Sequence, residues 1–369
     1  MTGNPPQTAL DVVSDLLGLH QATSATPPEA RLGLVAGRRG PRFLVPLGWR
    51  PSAAASCLAY QGLRDTKTRL GRFAVGSALR LGADRAVLKA TYAADTGPGS
   101  LLAHLREVLG RDDLAVAVGL GRMDELWRPT LQVFAPDGAP VAFVKIGRGP
   151  VVSQLVRVEG DTLLRWMDHP DPRLVVPGVL AESTWRDQPI LAVAPLPVDA
   201  TRLPTGSIGA GAVRTLDPPL PDAPIADAPW WADRAARFAD DPEIGPILAR
   251  IDARHAGPAR AWARWHGDWV PWNLARCHRG LIAWDWEYSE PGAPVGLDET
   301  HFAYQVAHLA ERRSVPEALR IARAAAPSAW VADAHVAMLV TRAGDLAPLA
   351  GGPVTNHAEV LPAASAAIR

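Results

Sequence analysis

His266-Gly267-Asp268-Trp269-Val270-Pro271-Trp272-Asn273 is the stretch that decides the fold, and Trp284-Asp285-Trp286-Glu287 follows it closely. An aspartate is followed five residues later by an asparagine, and twelve residues beyond that by a second aspartate. The short apolar run Leu281–Trp284 lies between the last two and predicts a strand. Carboxylate and amide oxygens are the ligands that a hard cation such as Mg²⁺ prefers. The spacing therefore predicts a loop that handles a proton and a metal ion.

The three polar residues match the parts of a phosphoryl-transfer site. Asp268 would orient an attacking hydroxyl and accept its proton, while Asn273 and Asp285 would hold Mg²⁺ on the phosphates of a nucleotide. The Asp-x-x-x-x-Asn spacing also matches the catalytic loop of kinases, in which an Asp after the following strand binds the metal. We therefore expect Asp268 to be the catalytic residue and Asn273 and Asp285 to be the metal ligands.

The segment from Trp265 to Asp298 resembles the aminoglycoside phosphotransferase and choline kinase group of small-molecule kinases. That group has a loop of the form His-Gly-Asp-x-x-x-x-Asn, then Asp-Trp-Glu or a close variant, and then a Gly-Pro-rich turn with another Asp. The corresponding turn here is Glu290–Asp298. The resemblance covers roughly residues 100–345. It implies an α+β, protein-kinase-like fold with two lobes, a β-rich N-lobe and an α-rich C-lobe.

The resemblance also implies roles for residues around the loop. His266, Glu287 and Asp298 would support the loop structurally, although a contact of Glu287 to Mg²⁺ through water stays open. The phosphate donor would be ATP, with GTP possible, and the cofactor would be Mg²⁺. The acceptor would be a hydroxyl of a small molecule.

A kinase loop also requires a Lys on an N-lobe strand, which contacts the phosphates and is steadied by a Glu on a helix. Lys145 lies in the apolar run Val141–Ile146, and an ammonium on a half-buried strand face is costly unless it is paired. Glu159 lies on the apolar stripe of the next predicted helix, 151–167. We expect Lys145 to pair with Glu159, and Glu182 on a later strand is the alternative acid.

Two further segments are candidates for contacts to the nucleotide. Gly119-Leu120-Gly121-Arg122 lies between the first two predicted N-lobe strands, where a phosphate-covering loop belongs, although the full Gly-x-Gly-x-x-Gly pattern is missing. Gly121 and Arg122 are the residues in it that could contact the nucleotide. Ala194-Pro195-Leu196 would be the hinge, and the backbone of Pro195 and Leu196 would contact the base.

The composition excludes several classes of protein. The chain has 369 residues, 48% hydrophobic and 21% charged, with a net charge of zero, so no overall charge favours nucleic acid or a membrane. The two cysteines, Cys57 and Cys277, match no metal-ligand spacing. The N-terminus lacks a signal-peptide pattern, and no apolar run is long enough to cross a bilayer. We expect a cytoplasmic protein with a small-molecule partner; its oligomeric state is not predicted.

We divide the chain into three regions. Residues 1–95 form an accessory segment, 96–196 the kinase-like N-lobe, and 197–369 the C-lobe, which carries the catalytic loop and ends in a poorly ordered tail. The accessory segment matches no pattern that we can place. Residues 1–90 carry twelve Lys or Arg against five Asp or Glu, which we interpret as a basic helix face. The Pro- and Gly-rich stretch 199–229 is predicted to be a long loop.

Two alternatives to a small-molecule kinase remain at this point. One is a catalytically silent binding or interaction module of the same fold. The other is a protein kinase, which is disfavoured because no Ala-Pro-Glu follows Asp285. The acceptor could be an aminoglycoside, a sugar, a nucleoside or another alcohol. Six of the thirteen Trp cluster around the loop, and Trp269 and Trp272 inside it are candidates for contacting the substrate, with core packing as the alternative.

Overall fold

A computed structural model describes residues 8–38, 40–121, 123, 126–203, 220–348 and 359–368. The chain divides into two compact units. Unit 1 comprises Met1–Pro170, Val175–Thr201 and Cys277–Gly280, and unit 2 comprises Asp171–Leu174, Arg202–Arg276 and Leu281–Arg369. Across the described ranges, every helix is too short or too polar to span a membrane.

Unit 1 is built on a nine-stranded sheet. Its strands are β1 (His20–Gln21), β2 (Arg31–Gly37), β3 (Gly40–Pro46), β4 (Ala90–Ala93), β5 (Ala115–Gly119), β6 (Thr130–Phe134), β7 (Pro140–Ile146), β9 (Val179–Trp185) and β10 (Gln188–Val193), and the two-residue strand β8 (Leu174–Val175) lies outside this sheet. Their order across the sheet is β1-β4-β2-β3-β5-β6-β7-β10-β9, and the neighbouring strands are antiparallel.

Helices cover both faces of this sheet. On one face, α1 (Ala9–Leu17) and α4 (Leu101–Leu109) pack against alternate strand residues such as Leu44, Val116 and Val144. The opposite face carries α2 (Arg50–Leu58), α3 (Thr66–Arg80) and α5 (Gly149–Asp168). Because successive strand residues point to opposite faces, Phe143 and Lys145 on β7 belong to this second face.

Local sequence signals explain where the first helices begin and end. The Thr8 hydroxyl accepts a hydrogen bond from the backbone N–H of Asp11, whose carboxylate accepts one from the Thr8 N–H, so a capping box starts α1. Ser100 accepts from Ala103 N–H at the start of α4, as the sequence predicts. Both helices stop at a glycine in the left-handed conformation, Gly18 and Gly110.

The accessory segment and the N-lobe share one sheet. The sequence analysis missed β2, which pairs with β3 on one side and β4 on the other, and β3 pairs with β5. The sheet is therefore continuous across the predicted boundary at residue 95, and unit 1 extends to Thr201 instead of ending at 196. The short stretch Arg31–Gly37 is a mostly buried strand, and its apolar residues alone do not distinguish a strand from a helix segment.

Unit 2 is rich in helices. They are α6 (Pro229–Arg237), α7 (Gly245–His255), α8 (Leu297–Gln305), α9 (Val315–Ala325), α10 (Ala329–Leu346) and α11 (Val360–Ala367), and α8 continues into a π-helical turn, Val306–Ala310. The remaining strands among the described residues are β11 (Thr201–Arg202), β12 (Leu220–Ala223), β13 (Arg260–Trp265), β14 (Leu274–Cys277), β15 (Gly280–Ala283) and β16 (Glu290–Pro294). Strands β12, β13 and β16 form an antiparallel sheet beside the helices.

The core of unit 2 surrounds α10, which is buried on almost all sides. Asp333 on this helix has an exposure of 0%, and its carboxylate accepts hydrogen bonds from Arg254, His255 and Arg323. Burial acts to raise the pKa of Asp333, but the hydrogen bonds from His255 and Arg323 outweigh it and hold the pKa below its ordinary value. The pairing allows the Asp333 carboxylate to lie in the buried part of this helix.

The prediction of a poorly ordered tail is wrong for residues 359–368. These residues form α11, and Val360, Ala364 and Ile368 are buried against α9 and α10. The spacing of four between them is a helical period, and burial of this stripe stabilises the helix. Residues 349–358 and 369 lie outside the described residues, as do 204–219 of the predicted loop 199–229. The mixed composition, with strands concentrated in unit 1 and helices in unit 2, confirms the predicted α+β class.

Candidate active site

The structure brings Lys145 and Glu159 together inside unit 1. Lys145 Nζ donates hydrogen bonds to Glu159 Oε1 and Oε2, each at 2.6 Å, and the two residues are 6% and 1% exposed. Lys145 points to this face because it follows Phe143 by two residues on β7, and Glu159 lies on the buried stripe of α5. Glu182, the alternative acid, lies on β9 and is exposed. The pair is a desolvated ion pair with close geometry.

The loop of unit 2 turns sharply at Gly267. Its φ is +85°, a left-handed conformation, and a Cβ atom added there would collide with the backbone carbonyl of Tyr288. Only glycine has both the conformational freedom and the space for this turn. The Gly267 carbonyl accepts a hydrogen bond from Arg342 Nη2 at 3.0 Å, and the Arg342 guanidinium stacks on the Tyr288 ring at 4.2 Å. The backbone just before Asp268 is thus fixed by its close packing on Tyr288 and by the hydrogen bond from Arg342.

Asp298 anchors the start of the same loop. Its carboxylate accepts hydrogen bonds from the backbone N–H groups of His266 and Gly267, at 2.7 and 3.1 Å. The residue is 2% exposed and lies in the first turn of α8, where a negative charge is stabilised by the helix dipole. Burial nevertheless raises the pKa of Asp298 to about 7, against the lowering effect of the two N–H donors. Asp298 therefore acts on the loop backbone.

His266 links the loop to the strand that follows it. Its Nδ1 accepts from the Asp268 N–H at 3.2 Å, so the ring proton lies on Nε2, which donates to the Trp284 carbonyl at 3.0 Å. The ring is completely buried between Trp269 and Trp286, whose centroids lie at 5.5 and 4.3 Å. Both ring nitrogens are occupied by backbone groups, which suits a supporting role.

Asp268 and Asn273 are in direct contact. Asn273 Nδ2 donates to the side-chain Oδ2 of Asp268 at 2.8 Å and to its backbone carbonyl at 3.1 Å. The Asn273 carbonyl in turn accepts from the Trp284 N–H at 3.2 Å, because β14 and β15 run side by side. Asp285 follows Trp284 directly. The backbone therefore gathers the three residues that the motif predicts, although they span eighteen positions of sequence.

The donor set suits a hard divalent cation. The Asn273 amide nitrogen is engaged with Asp268, so its Oδ1 is the atom that can ligate a cation, and Asp285 adds a carboxylate. Asp285 has a φ of +62°, a left-handed conformation that Asp adopts more readily than most residues. Backbone positions of this kind are concentrated at functional sites. Glu287, 8% exposed, lies two residues further along.

Sequence reasoning missed two residues that contact this loop. His301 Nε2 lies 3.7 Å from Asp268 Oδ1, and its Nδ1 lies 3.3 Å from Nε2 of the buried His335. Burial lowers the pKa of His301, which favours the neutral ring. His301 follows Asp298 by one helical turn, so the helical period offered a signal for it. For Arg342, 75 residues from the Gly267 carbonyl that it binds, no local signal exists.

The two tryptophans predicted to contact a substrate differ sharply. Trp269 is 1% exposed and packs against His266, so the structure assigns it to the core beneath the loop. Trp272 is 41% exposed and keeps a free aromatic surface. The substrate prediction is therefore wrong for Trp269 in this structure and stays a prediction for Trp272.

The predicted nucleotide segments lie in unit 1. Gly121 is exposed and follows β5, and Arg122 lies outside the described residues. Pro195 and Leu196 follow β10, and the Ala194 N–H donates to the Gly178 carbonyl at 2.7 Å. Leu196 is buried at 9% exposure. Contacts of these residues to a nucleotide stay predictions.

A cavity of about 710 Å³ lies elsewhere in unit 1. Residues of α2, the turn after it and the β6–β7 turn line it, including Arg50, Tyr60, Gln61 and Asp137. None of the predicted site residues is among its lining residues. Its size alone therefore does not make it a candidate active site.

One group in the described part of the chain has the donor atoms of a transition-metal site. Carboxylate, thiol and imidazole atoms of Asp199, Cys277 and His278 lie within 4.8 Å of one another. Asp199 Oδ2 accepts from both the backbone N–H and Nδ1 of His278 at 2.8 Å, and Asp199 and His278 are exposed. These hydrogen bonds account for the arrangement without an ion.

Comparison with known proteins found no matching family model and no matching curated protein. Among solved structures, the chain is similar to a thermostable mutant of the aminoglycoside phosphotransferase APH(4)-Ia in complex with ADP and hygromycin B, with a TM-score of 0.46 and 12% identity over 73% of this chain and 98% of that one. It is also similar to spectinomycin phosphotransferase APH(9)-Ia in complex with ADP and spectinomycin, with a TM-score of 0.39 and 12% identity over 71% and 92%.

A third similar structure is the amicoumacin kinase hAmiN in complex with AMP-PNP, Ca²⁺ and Ami, with a TM-score of 0.41 and 11% identity over 68% of this chain and 87% of that one. All three are small-molecule kinases or phosphotransferases, the group that the loop motif resembles. Because these TM-scores lie below 0.5, the roles of individual residues rest on the geometry of this chain.

Proposed function

We propose that this protein is a small-molecule kinase of the aminoglycoside phosphotransferase and choline kinase group. It transfers the γ-phosphate of ATP, or of GTP, to a hydroxyl of a small molecule. The observation that carries the proposal is the contact of Asp268 with Asn273 in a loop held by Asp298. A carboxylate that is oriented by an amide, beside a second candidate metal ligand, is the arrangement that phosphoryl transfer requires.

Asp268 is the proposed base. Asn273 orients its Oδ2, and Oδ1 is directed toward His301. The acceptor hydroxyl donates its proton to the Asp268 carboxylate while its oxygen forms a bond to the γ-phosphorus. The bond between that phosphorus and the bridging oxygen breaks, and the nucleoside diphosphate leaves with the electron pair. The side chain is 22% exposed, so it remains accessible to an acceptor.

Lys145 and Glu159 are proposed to act on the nucleotide. The ammonium contacts the phosphates, and Glu159 fixes its position through two short hydrogen bonds. Asn273 and Asp285 are the residues that would hold Mg²⁺, which when bound neutralises charge on the transferring phosphate. Acceptor identity is set by surfaces around the loop, and Trp272 is the proposed aromatic contact.

The test is a coupled assay of ADP release over a panel of hydroxyl-bearing metabolites and antibiotics. The Asp268→Asn variant serves as the blank, because it keeps the amide-to-side-chain contact and removes the base. A substrate is accepted when ADP release depends on Asp268, and its phosphorylated product is then identified by mass spectrometry. Nucleotide binding without acceptor-dependent release across the panel would instead support a catalytically silent binding module.

A further inference from the structure

Two arginines of the accessory segment lie on the sheet face that carries Lys145. Arg72, on α3, places its guanidinium 5.1 Å from the ring centroid of Phe43 on β3. It donates hydrogen bonds to the carbonyls of Ser56 at 2.6 Å and Cys57 at 3.2 Å. Arg64 follows the 3₁₀ turn Gln61–Leu63 and lies close enough to Arg72 for the two charges to interact. The pair is part of the basic excess of residues 1–90.

The charges of these arginines are poorly compensated. The Nε of Arg64 is buried and has no hydrogen-bond partner among the described residues, and neither arginine forms an ion pair closer than 4 Å with a described acid. Burial, together with the neighbouring charge of Arg72, lowers the pKa of Arg64 to about 10. Both groups stay cationic at neutral pH. The exposed Asp65 carboxylate acts on Arg64 only at a distance. Two half-buried like charges without a directly paired carboxylate are costly and indicate an anionic partner.

The register of the sheet relates these arginines to Lys145. Phe43 pairs with Gly119, and Thr130 pairs with Lys145. Because Val118 pairs with Leu131, Gly119 lies opposite Thr130 in the same ladder. Phe43, Gly119, Thr130 and Lys145 therefore form one row across four strands and share a face. With strands roughly 4.8 Å apart, Phe43 and Lys145 are separated by roughly 14 Å.

The middle of this row is open. A Cβ atom added at Gly119 would point to the same face and meets no atom within 4 Å. Arg72 stacks over Phe43 at one end of the row, and Lys145 lies at the other end. The backbone of Gly119 is therefore uncovered between the cationic side chains of Arg72 and Lys145. Glycine at such a position permits close approach of a ligand to the backbone.

We propose that Arg64 and Arg72 form a second cationic side of the nucleotide phosphate site, opposite Lys145 across Gly119. The inference rests on the proposed function, since it assumes that Lys145 contacts nucleotide phosphates. It assigns a binding role to the accessory segment, for which the motif resemblance offers none.

Charge balance favours a polyphosphate as the occupant. The charge of Lys145 is already matched by Glu159, so this pair alone adds little net attraction for a nucleotide triphosphate. Two guanidinium groups supply the missing positive charge. Their planar, forked donors suit phosphate oxygens, with which they form charge-assisted hydrogen bonds.

The experiment compares Arg64→Gln with Arg69→Gln in the full-length chain. Arg69 is exposed on α3, the helix that carries Arg72, so its substitution removes equal charge without touching the row. Calorimetry with ATP and Mg²⁺, in the absence of acceptor, should show binding about tenfold weaker for Arg64→Gln and unchanged for Arg69→Gln. Wild type, Arg64→Gln and Arg69→Gln should bind adenosine with equal affinity, because adenosine lacks phosphates. Arg72→Lys, which keeps a donor for the Ser56 carbonyl, should also weaken ATP binding.

Two results separate this inference from the proposed function. Equal ATP affinity for wild type, Arg64→Gln and Arg72→Lys would overturn the inference and leave the proposed function intact. A wild-type chain that binds inorganic tripolyphosphate through Arg64, but neither ATP nor GTP, would overturn both the nucleotide role and the proposed function. Unchanged thermal unfolding of Arg64→Gln is the control that its fold is retained.

Discussion

The Lys145–Glu159 pair of unit 1 and the Asp268 loop of unit 2 carry complementary parts of the proposed chemistry, and they are held in place by different means. Lys145 and Glu159 project from the interior of a strand and a helix, and both are almost completely buried. Asp268 lies in an irregular loop and is partly exposed. The backbone around it donates hydrogen bonds to Asp298 and to the His266 ring, and accepts one from Arg342.

The difference teaches how each group is positioned. Regular elements fix a side chain through their period, so a buried ion pair needs only the right two positions. A loop lacks such a period, and its geometry depends on contacts from distant residues. We therefore expect changes at Lys145 to act on stability as well as activity, and changes at Asp268 to act on activity alone.

The largest expected effect is on turnover in Asp268→Asn. The substitution removes the base while keeping a side chain of the same shape, so turnover should fall about 10²- to 10⁴-fold. Thermal unfolding should change little, because the side chain is partly exposed. Steady-state kinetics and thermal unfolding measure the two effects. Turnover within a few-fold of wild type would show that Asp268 is not the base.

Lys145→Met tests the other region of the comparison, the buried ion pair of unit 1. It leaves the Glu159 carboxylate buried without its cation, which should cost about 3–5 kcal/mol in the free energy of unfolding. The double variant Lys145→Met/Glu159→Met removes both charges and should recover most of that stability, while activity stays lost. Urea denaturation of the three proteins measures this cycle. A single variant as stable as wild type would contradict the buried-pair account.

Asp298 should make the stability of the loop side depend on pH. Its pKa is about 7 in the folded chain against an ordinary value of 3.8, so the folded state holds a proton that the unfolded state releases. Between about pH 4 and 7 this group therefore lowers stability as the pH rises, by up to roughly 4 kcal/mol.

Denaturation of wild type and Asp298→Asn at pH 5 and pH 7.5 measures this contribution. Asn cannot titrate, so the loss of stability between the two pH values should be smaller in the variant, whatever its absolute stability. An identical pH dependence in both proteins would show that Asp298 is ionised throughout the range.

The smallest expected effects come from two glycine substitutions, which distinguish the cost of backbone strain from the cost of a steric clash. Gly267→Ala places a side chain at a position with positive φ and brings its Cβ atom against the Tyr288 carbonyl. We therefore expect the free energy of unfolding to fall by about 3 kcal/mol. Gly257 has a similar φ of +98° but open space around a Cβ, so Gly257→Ala should cost about 1 kcal/mol. Urea denaturation compares the two. Equal losses would show that the contact with Tyr288 contributes nothing.

Much of the local structure could be predicted from the sequence, because capping residues, apolar periods and glycine stops act over a few positions. Helix α5 and strands β7 and β15 lie close to the predicted segments 151–167, 141–146 and 281–284. The strand β2 and the helix α11 were missed, because each depends on partners that are distant in sequence: β2 on β3 and β4, and α11 on α9 and α10. Trp269 was misplaced for the same reason, since only packing decides whether a loop aromatic faces solvent.

The sequence by itself determined the chemistry available to this protein: a carboxylate and an amide at a spacing of five, a second carboxylate after a strand, and a lysine and a glutamate on apolar faces. Only the tertiary structure decided how these groups are supported. It set Asp298 against the loop backbone from 31 residues away and aligned Phe43, beneath Arg72, with Lys145 in one row of the sheet. The physical reason is that side-chain periods are local, whereas strand register and hydrogen bonds across a core are fixed only when the whole chain packs.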